Sequence, residues 1–166
     1  AESPDYSDRQ ELEFFQWPEL KETFTQLAAL VMTAENAIAL GLRPIARYRA
    51  GAVTGADPVL MLTGPIPATE HVLHKAGVAL EEVGVFEVNE AFAPVPLAWL
   101  AETGADEDKL NPLGGAIALG HPLGASGAVL MTRMINHMRD NGIRFGLQTM
   151  CEGGGTANAT LVELIA

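Results

Sequence analysis

The sequence has little of what marks several large classes of protein. It contains one cysteine, Cys151, so no disulfide can form within the chain, and a lone thiol fits a reducing compartment. Its 10 Lys and Arg residues face 21 Asp and Glu residues, and the net charge of −11 argues against a nucleic-acid partner. No apolar run reaches the roughly 18 residues of a membrane-spanning helix, and the N-terminus shows no basic-then-apolar signal pattern. We therefore expect a cytoplasmic protein without nucleic-acid or membrane partners.

Hydrophobic residues make up 48% of the 166 residues and glycine contributes 17, which is typical of a globular α/β domain. Residues 1–27 differ, because they hold seven acidic residues against two basic ones, together with half of the aromatic residues. We interpret residues 1–27 as an irregular or short-helical arm that packs through its aromatic side chains. A disordered leader or a remnant is the alternative. The ordered domain is expected at residues 28–166.

Strands alternate with helices along this domain. Apolar and β-branched runs predict five strands, at 28–32, 46–53, 85–88, 145–150 and 156–163. Glycines and early prolines mark four helices, predicted at 33–41, 64–76, 91–103 and 124–140. The alternation predicts an α/β fold in which helices cover both faces of a mixed or parallel sheet.

The first motif whose residues could take part in catalysis or binding is Asn-Glu-Ala-Phe-Ala at residues 89–93, directly after a predicted strand. The side-chain amide of Asn89 can orient a water or a substrate oxygen at this position. A helix N-cap is the alternative interpretation of the same asparagine.

The second motif is a stretch with five glycines in fourteen residues, 114–127, which contains His121. Glycines allow close backbone approaches and positive φ angles, and the proline after His121 restricts its backbone. A histidine held in this way can shuttle a proton or donate a hydrogen bond; a structural histidine is the alternative. The stretch lacks the Lys-Ser/Thr ending of a phosphate-binding loop. The remaining histidines, at positions 71, 74 and 137, fall mid-helix and are predicted to be structural.

The third motif is Cys-Glu-Gly-Gly-Gly at residues 151–155, between two predicted strands. The glycines would expose the Cys151 thiol and can present backbone N–H groups to an oxyanion. A buried, inert cysteine is the alternative, since a thiol becomes reactive where a cation or backbone dipoles lower its pKa. One cysteine and scattered histidines do not supply metal ligands at the usual spacing, so no metal site is predicted.

These three motifs, in this order, resemble the thiolase family of acyl-CoA C-acyltransferases. The resemblance runs from about Ala28 to the end of the chain. It implies a thiolase-like half, with a five-stranded mixed sheet and helices on both faces. It also implies acyl transfer between acyl-CoA molecules, by Claisen condensation or by thiolytic cleavage of a 3-ketoacyl-CoA. A coenzyme A thioester would be the substrate, and no cofactor would stay bound.

The resemblance also implies roles for particular residues. Cys151 matches the cysteine that acts as general acid and base, and His121 matches the histidine that activates the nucleophilic cysteine and lines an oxyanion hole. Asn89 matches the residue that holds the water completing that hole. The backbone N–H of Gly153 matches a donor of a second oxyanion hole. Ala91 and Phe92 match a stretch that lines the pantetheine tunnel.

The sequence departs from the family in two ways. No second cysteine is present to act as the acylated nucleophile, which an N-terminal thiolase half would have to supply. The glycine- and serine-rich segment for coenzyme A is also missing before the first predicted strand. A catalytically idle binding or scaffold module is therefore the alternative, whereas a ketoacyl synthase would have a second histidine in place of Cys151. We expect the lone half to expose an apolar surface, so that it forms a homo-oligomer, aggregates or covers this surface with its arm.

Overall fold

The computed structural model describes the backbone of residues 12–15 and all of residues 30–165. The strands are β1 Leu12–Phe15, β2 Leu30–Thr33, β3 Ala46–Gly55, β4 Val83–Val88, β5 Phe145–Cys151 and β6 Thr156–Leu164. The helices are α1 Ala34–Ala39, α2 Pro65–Ala76, α3 Pro94–Thr103, α4 Ala116–Leu119 and α5 Ser126–Asn141. No helix in these two ranges is long and apolar enough to cross a lipid bilayer.

The six strands form one mixed sheet in the order β2-β1-β3-β6-β5-β4. Neighbouring strands are antiparallel except β4 and β5, which run parallel. This parallel pair needs a crossover, and the chain between the two strands supplies it with α3, α4 and α5. The fold is therefore the expected α/β arrangement with a mixed sheet.

All five predicted strands are present, and β1 adds a sixth within the segment predicted to be an arm. For residues 12–15 the expectation of an irregular or short-helical arm is wrong. The backbone there pairs with β2 on one side and β3 on the other, and these ladders supply the hydrogen bonds that a helix would otherwise provide. The rest of the predicted arm lies outside the described residues.

Glycines end three of the predicted helices where the sequence placed the stops. Gly77, Gly104 and Gly142 follow α2, α3 and α5 with φ angles of 65°, 67° and 65°. This left-handed conformation is available to glycine at little steric cost. The start of the third helix differs, because α3 begins at Pro94 and not at residue 91.

The larger apolar core lies between the sheet and helices α2 and α3. Trp99 of α3 is fully buried there, and its ring lies 5.1 Å from that of Phe86 in a tilted arrangement. Its indole Nε1 donates to Thr69 Oγ1 of α2 at 2.9 Å, and that hydroxyl donates to Pro65 O at 2.8 Å. The single hydroxyl thus satisfies the indole N–H at the α2–α3 contact.

Replacing Thr69 with valine should lower the free energy of unfolding by about 1–3 kcal/mol. Valine keeps the shape of threonine but leaves the buried Trp99 Nε1–H without its acceptor. Urea unfolding followed by tryptophan fluorescence measures the change. Thr54→Val is the matched control, because the Thr54 hydroxyl bonds only at the surface. Equal stabilities of the two variants would contradict this role of the hydroxyl.

A smaller core on the opposite face is formed by α5. Apolar side chains on one side of α5, including Met134 and Met138, pack against Val85 and Val162 of the sheet. Methionine is flexible and fills irregular gaps of this kind. Helices therefore cover both faces of the sheet, as predicted.

The parallel strands β4 and β5 end at the same edge of the sheet. Val88 pairs with Thr149, and the backbone N–H of the next residue, Asn89, donates to Thr149 O at 3.0 Å. Cys151 is the last residue of β5. Two of the three motifs thus leave the sheet side by side, at the kind of strand end where open α/β sheets bind ligands.

Candidate active site

A cleft of about 630 Å³ opens at the ends of β4 and β5. It contains all six residues predicted for the site: Asn89, Ala91, Phe92, His121, Cys151 and Gly153. The remaining lining residues are Met61, Leu62, Leu123, Gly124, Ser126, Gly127, Met150, Glu152 and Asn158. A few polar groups converge in a mostly apolar cleft, which is the usual composition of a small-molecule site.

The Asn89 side chain is almost fully buried, at 1% exposure, yet its amide has no partner among the described residues. Buried polar groups in native proteins nearly always have a hydrogen-bond partner. Asn89 does not cap a helix, because α3 starts at Pro94 with Ala93 in the N-cap position. The amide is therefore available to a molecule bound in the cleft.

His121 follows Gly120, whose φ of 90° turns the chain after α4. Its Nδ1 lies 2.7 Å from the Oγ of Ser126, and this hydroxyl also bonds to Pro122 O at 3.2 Å. A hydroxyl has one proton to donate. With that proton on Pro122 O, Ser126 accepts from Nδ1–H, and the lone pair of the imidazole is on Nε2. In this arrangement Nε2 can accept a proton, whereas a Ser126 hydroxyl that donates to Nδ1 would go with a proton on Nε2.

The other histidines lie outside the cleft. His71 and His74 are exposed on α2, and Nδ1 of His137 on α5 lies 3.2 Å from Asn141 Nδ2. Their mid-helix positions agree with the prediction, and none of them lines the cleft.

Cys151 is half-buried, and burial raises the pKa of its thiol above the ordinary range. A backbone hydrogen bond acts in the lowering direction, and the Glu152 carboxylate adds to the rise. A cation or backbone dipoles would have to outweigh burial to lower the pKa of this thiol, and here burial has the larger effect. The thiol accordingly keeps its proton at neutral pH and forms a more basic thiolate when it loses it.

The three glycines after Cys151 and Glu152 form one tight turn into β6. Gly154 and Gly155 have φ angles of 74° and 83°. A Cβ on Gly155 would come within 2.9 Å of Ala56 O, so a larger residue does not fit there. The turn brings Gly153 to the mouth of the cleft beside Cys151.

Glu90 and Asn111 connect the first two motifs, and sequence reasoning gave neither a role. The two Glu90 carboxylate oxygens accept from Asn111 Nδ2 at 3.0 Å and from the backbone N–H of Ile117 at 2.9 Å. These partners are 21 and 27 residues away, and no local pattern indicates such distant contacts. Ser126 was missed as well, although its place five residues after His121 was a usable signal.

A buried acid, Glu87, lies on β4 two residues before Asn89. By strand alternation it shares a face with Val85, towards α5. It is 1% exposed, and neither carboxylate oxygen has a partner in residues 30–165. Burial raises its pKa from 4.5 to about 8, the Arg133 guanidinium opposes this rise and the Glu90 carboxylate adds to it. The group is mostly protonated at neutral pH.

Across the described part of the chain, no three His, Cys, Asp or Glu side chains are grouped so that they could hold a metal ion. The polar side chains of the cleft include the Asn89 amide, the His121 imidazole and the Cys151 thiol. Such a set is suited to proton transfer and to stabilising a developing oxyanion. The fold and the cleft therefore define an α/β domain with the groups of an acyl-transfer site.

Comparison with known families identifies the domain. The family described as "Thiolase, C-terminal domain" matches residues 42–164. The chain belongs to the thiolase family and corresponds to its C-terminal domain.

Relatives and solved structures agree with this assignment. The chain is 56% identical over 137 residues to a steroid 3-ketoacyl-CoA thiolase of Mycobacterium tuberculosis, covering 82% of this chain and 34% of the relative. It is 50% identical over 141 residues to a 3-ketoacyl-CoA thiolase of Yersinia enterocolitica, covering 83% and 36%. The structure of human mitochondrial 3-ketoacyl-CoA thiolase superposes with a TM-score of 0.81 at 37% identity, covering 83% of this chain and 35% of that one. The chain spans about a third of the length of these relatives.

Proposed function

We propose that this chain supplies the proton-transfer and oxyanion-binding part of a thiolase active site, whose nucleophilic cysteine lies in an N-terminal half. The observation that carries the proposal is one cleft that contains Asn89, His121 and Cys151, with the Asn89 amide buried and without a described partner. The substrate is a coenzyme A thioester, and no cofactor stays bound between turnovers.

In the cleavage direction, the cysteine of the N-terminal half attacks the 3-keto carbon of a 3-ketoacyl-CoA. The bond between C2 and C3 breaks, the acyl group stays on that cysteine, and the departing enolate of acetyl-CoA takes a proton from the Cys151 thiol. Free coenzyme A then removes the acyl group as a shortened acyl-CoA. In the reverse direction, the Cys151 thiolate takes an α-proton from acetyl-CoA, and the enolate attacks the acyl-cysteine and expels its thiolate.

His121 and Asn89 act on the charges that appear during these steps. The unprotonated Nε2 of His121 accepts the proton of the attacking cysteine. In its protonated form the same nitrogen donates to the enolate oxygen, together with a water held by the Asn89 amide. The Gly153 backbone N–H serves the oxyanion of the acyl-enzyme step. Loss of one such donor typically costs about 3–4 kcal/mol of transition-state stabilisation.

The apolar part of the cleft suits the remainder of the substrate. Phe92 and Leu123 both line the cleft, and they are 62% and 88% exposed. We assign Ala91 and Phe92 to the pantetheine arm. The exposed apolar groups are also where we place the contact with the N-terminal half, since a surface of this kind marks an interaction site. A homo-oligomeric state and a cytoplasmic location remain predictions.

The proposal is tested by assaying acetoacetyl-CoA thiolysis with the purified chain alone and with an added N-terminal thiolase half. We expect no turnover by the chain alone and turnover by the pair, because the chain has only one cysteine. Cys151→Ala in the pair is the matched control, since it removes the proposed acid and base. Activity of the chain alone would overturn the assignment of the nucleophile to the other half.

An idle binding or scaffold module is the alternative that the same experiment tests. It predicts that a folded pair shows no thiolysis and no condensation. Isothermal titration with coenzyme A then shows whether the cleft still binds the thioester carrier.

A further inference from the structure

We propose that Glu90 and Asn111 are positioning residues of the acyl-transfer site. They form a hydrogen-bonded clamp that holds the turn carrying Asn89 against the segment carrying His121. The inference rests on the proposed function and adds two residues that take no part in the chemistry itself.

Asn111 forms the first part of the clamp. It binds to the backbone of β4, which is the outer strand of the sheet. Its Oδ1 accepts from the backbone N–H of Val88 at 2.9 Å, and its Nδ2 donates to Val88 O at 3.0 Å. Its own backbone N–H donates to Phe86 O at 2.8 Å. The side-chain amide thus pairs with both backbone groups of Val88 as a neighbouring strand would, immediately before Asn89.

The backbone of Asn111 shows that this position is specialised. Its φ is 45°, in the left-handed region that non-glycine residues seldom adopt and that asparagine tolerates better than most. The conformation directs both the backbone N–H and the side-chain amide towards β4. The second hydrogen of Nδ2 remains for Glu90.

Glu90 forms the second part of the clamp and reaches the glycine-rich segment. One carboxylate oxygen accepts from Asn111 Nδ2, and the other accepts from the N–H of Ile117 in the first turn of α4. A Cβ added to Gly115 would lie within 2.7 Å of both oxygens, so the glycine allows the carboxylate to enter. His121 lies two residues after Leu119, the last residue of α4.

The clamp matters because Asn89 and His121 belong to segments that are far apart in the chain. The Asn89 side chain has no described partner that could fix its place relative to the imidazole. Glu90 is the next residue along, and it is hydrogen-bonded to Ile117 in the His121 segment and to Asn111, which in turn holds Val88 just before Asn89. Two groups that bind one oxyanion must keep their spacing closely, since an error of about 1 Å can cost about 100-fold in rate.

The main test is Glu90→Gln in the complete enzyme, formed by this chain and its N-terminal half. Glutamine has the same size but replaces one oxygen with an amide donor, which then faces either Asn111 Nδ2 or the Ile117 N–H. We expect kcat for thiolysis to fall roughly 10- to 100-fold with little change in KM, because the two groups act together in the transition state. Glu70→Gln is the control, since Glu70 is an exposed carboxylate on α2.

A second pair of variants keeps the proposal testable if Glu90→Gln does not fold. Ile117→Pro removes the N–H donor together with the Ile117 side chain, and that N–H lies in a first helical turn, where it has no helical acceptor. Pro67 already occupies the first turn of α2 in the same chain. Ile117→Ala is the matched control, because it removes a side chain that is 66% exposed and keeps the N–H. We expect the fall in kcat with proline only.

The rate of amide hydrogen exchange in the same samples tests whether the clamp is formed, independently of catalysis. We expect Glu90→Gln to speed exchange in the peptide containing Ile117, whereas Glu70→Gln leaves it unchanged. A kcat equal to that of the Glu70→Gln control would overturn the positioning role, and so would a change in KM alone. A wild-type enzyme without turnover would defeat the proposed function instead, and the exchange result would then decide only whether the clamp exists.

Discussion

Cys151→Ser in the complete enzyme should slow carbon–carbon bond formation and cleavage by about 10²- to 10⁴-fold, the usual contribution of a general acid and base. Serine is nearly isosteric with cysteine, but its hydroxyl does not ionise in the range where a thiol does. Acylation of the cysteine in the N-terminal half should change much less, because that step depends on His121 in the proposed scheme. The two half-reactions are therefore expected to separate.

Both half-reactions can be measured on one preparation. Exchange of labelled coenzyme A into acetyl-CoA reports acylation, and acetoacetyl-CoA formation reports condensation. Because burial raises the pKa of the Cys151 thiol, condensation by the wild-type enzyme should rise with pH on the alkaline side. This rise should be absent from Cys151→Ser. An equal loss of rate in both half-reactions would contradict the assignment of Cys151 as the acid and base.

Glu87→Gln should make the chain more stable at alkaline pH and remove a pH dependence that the wild type shows. The folded-state pKa of Glu87 is about 8, above its ordinary 4.5, because the carboxyl is buried. The stabilising contribution of a group with a raised pKa is complete below pH 4.5 and is lost as the pH rises through 8. Each unit of the difference corresponds to about 1.4 kcal/mol of unfolding free energy, so the effect is large.

The measurement is urea unfolding of the wild type, Glu87→Gln and the exposed control Glu70→Gln at several pH values between 5 and 9. The difference between wild type and Glu87→Gln should grow steadily up to about pH 8 and then level off, as expected for a carboxyl whose burial raises its pKa to about 8. The control should follow the wild type. A constant difference at all pH values would show that Glu87 does not titrate in this range.

Much of the fold was predictable because its signals are local. The five strands of residues 28–166 contain apolar or β-branched stretches, and Gly77, Gly104 and Gly142 end helices through positive φ angles. Strand β1 was missed because its four residues lie within an acidic segment and are too few for their alternation to be decisive. Their pairing with β2 and β3 decides their conformation. Helix α4 is a single turn within a glycine-rich stretch and gives no periodicity either.

The residues of the candidate site also fall into those that local sequence patterns indicate and those that they do not. Asn89, His121 and Cys151 could be found because each lies in a motif beside a strand end or a glycine turn. Glu87 could not, since one acid in a strand is ordinarily read as a solvent-facing residue, and its burial depends on α5 packing over that face of the sheet. The roles of Glu90 and Asn111 depend on hydrogen bonds across more than 20 residues of chain.

The amide of Asn111 also has a consequence for how the isolated domain behaves in concentrated solution. An outer strand with free backbone groups is a template on which another chain can add a strand, and this is a common route to aggregation. On β4 the Phe86 carbonyl and both backbone groups of Val88 are already bonded to Asn111. Sheet-to-sheet growth is therefore blocked beside the cleft, and self-association of the domain there has to proceed through contacts between its exposed apolar side chains.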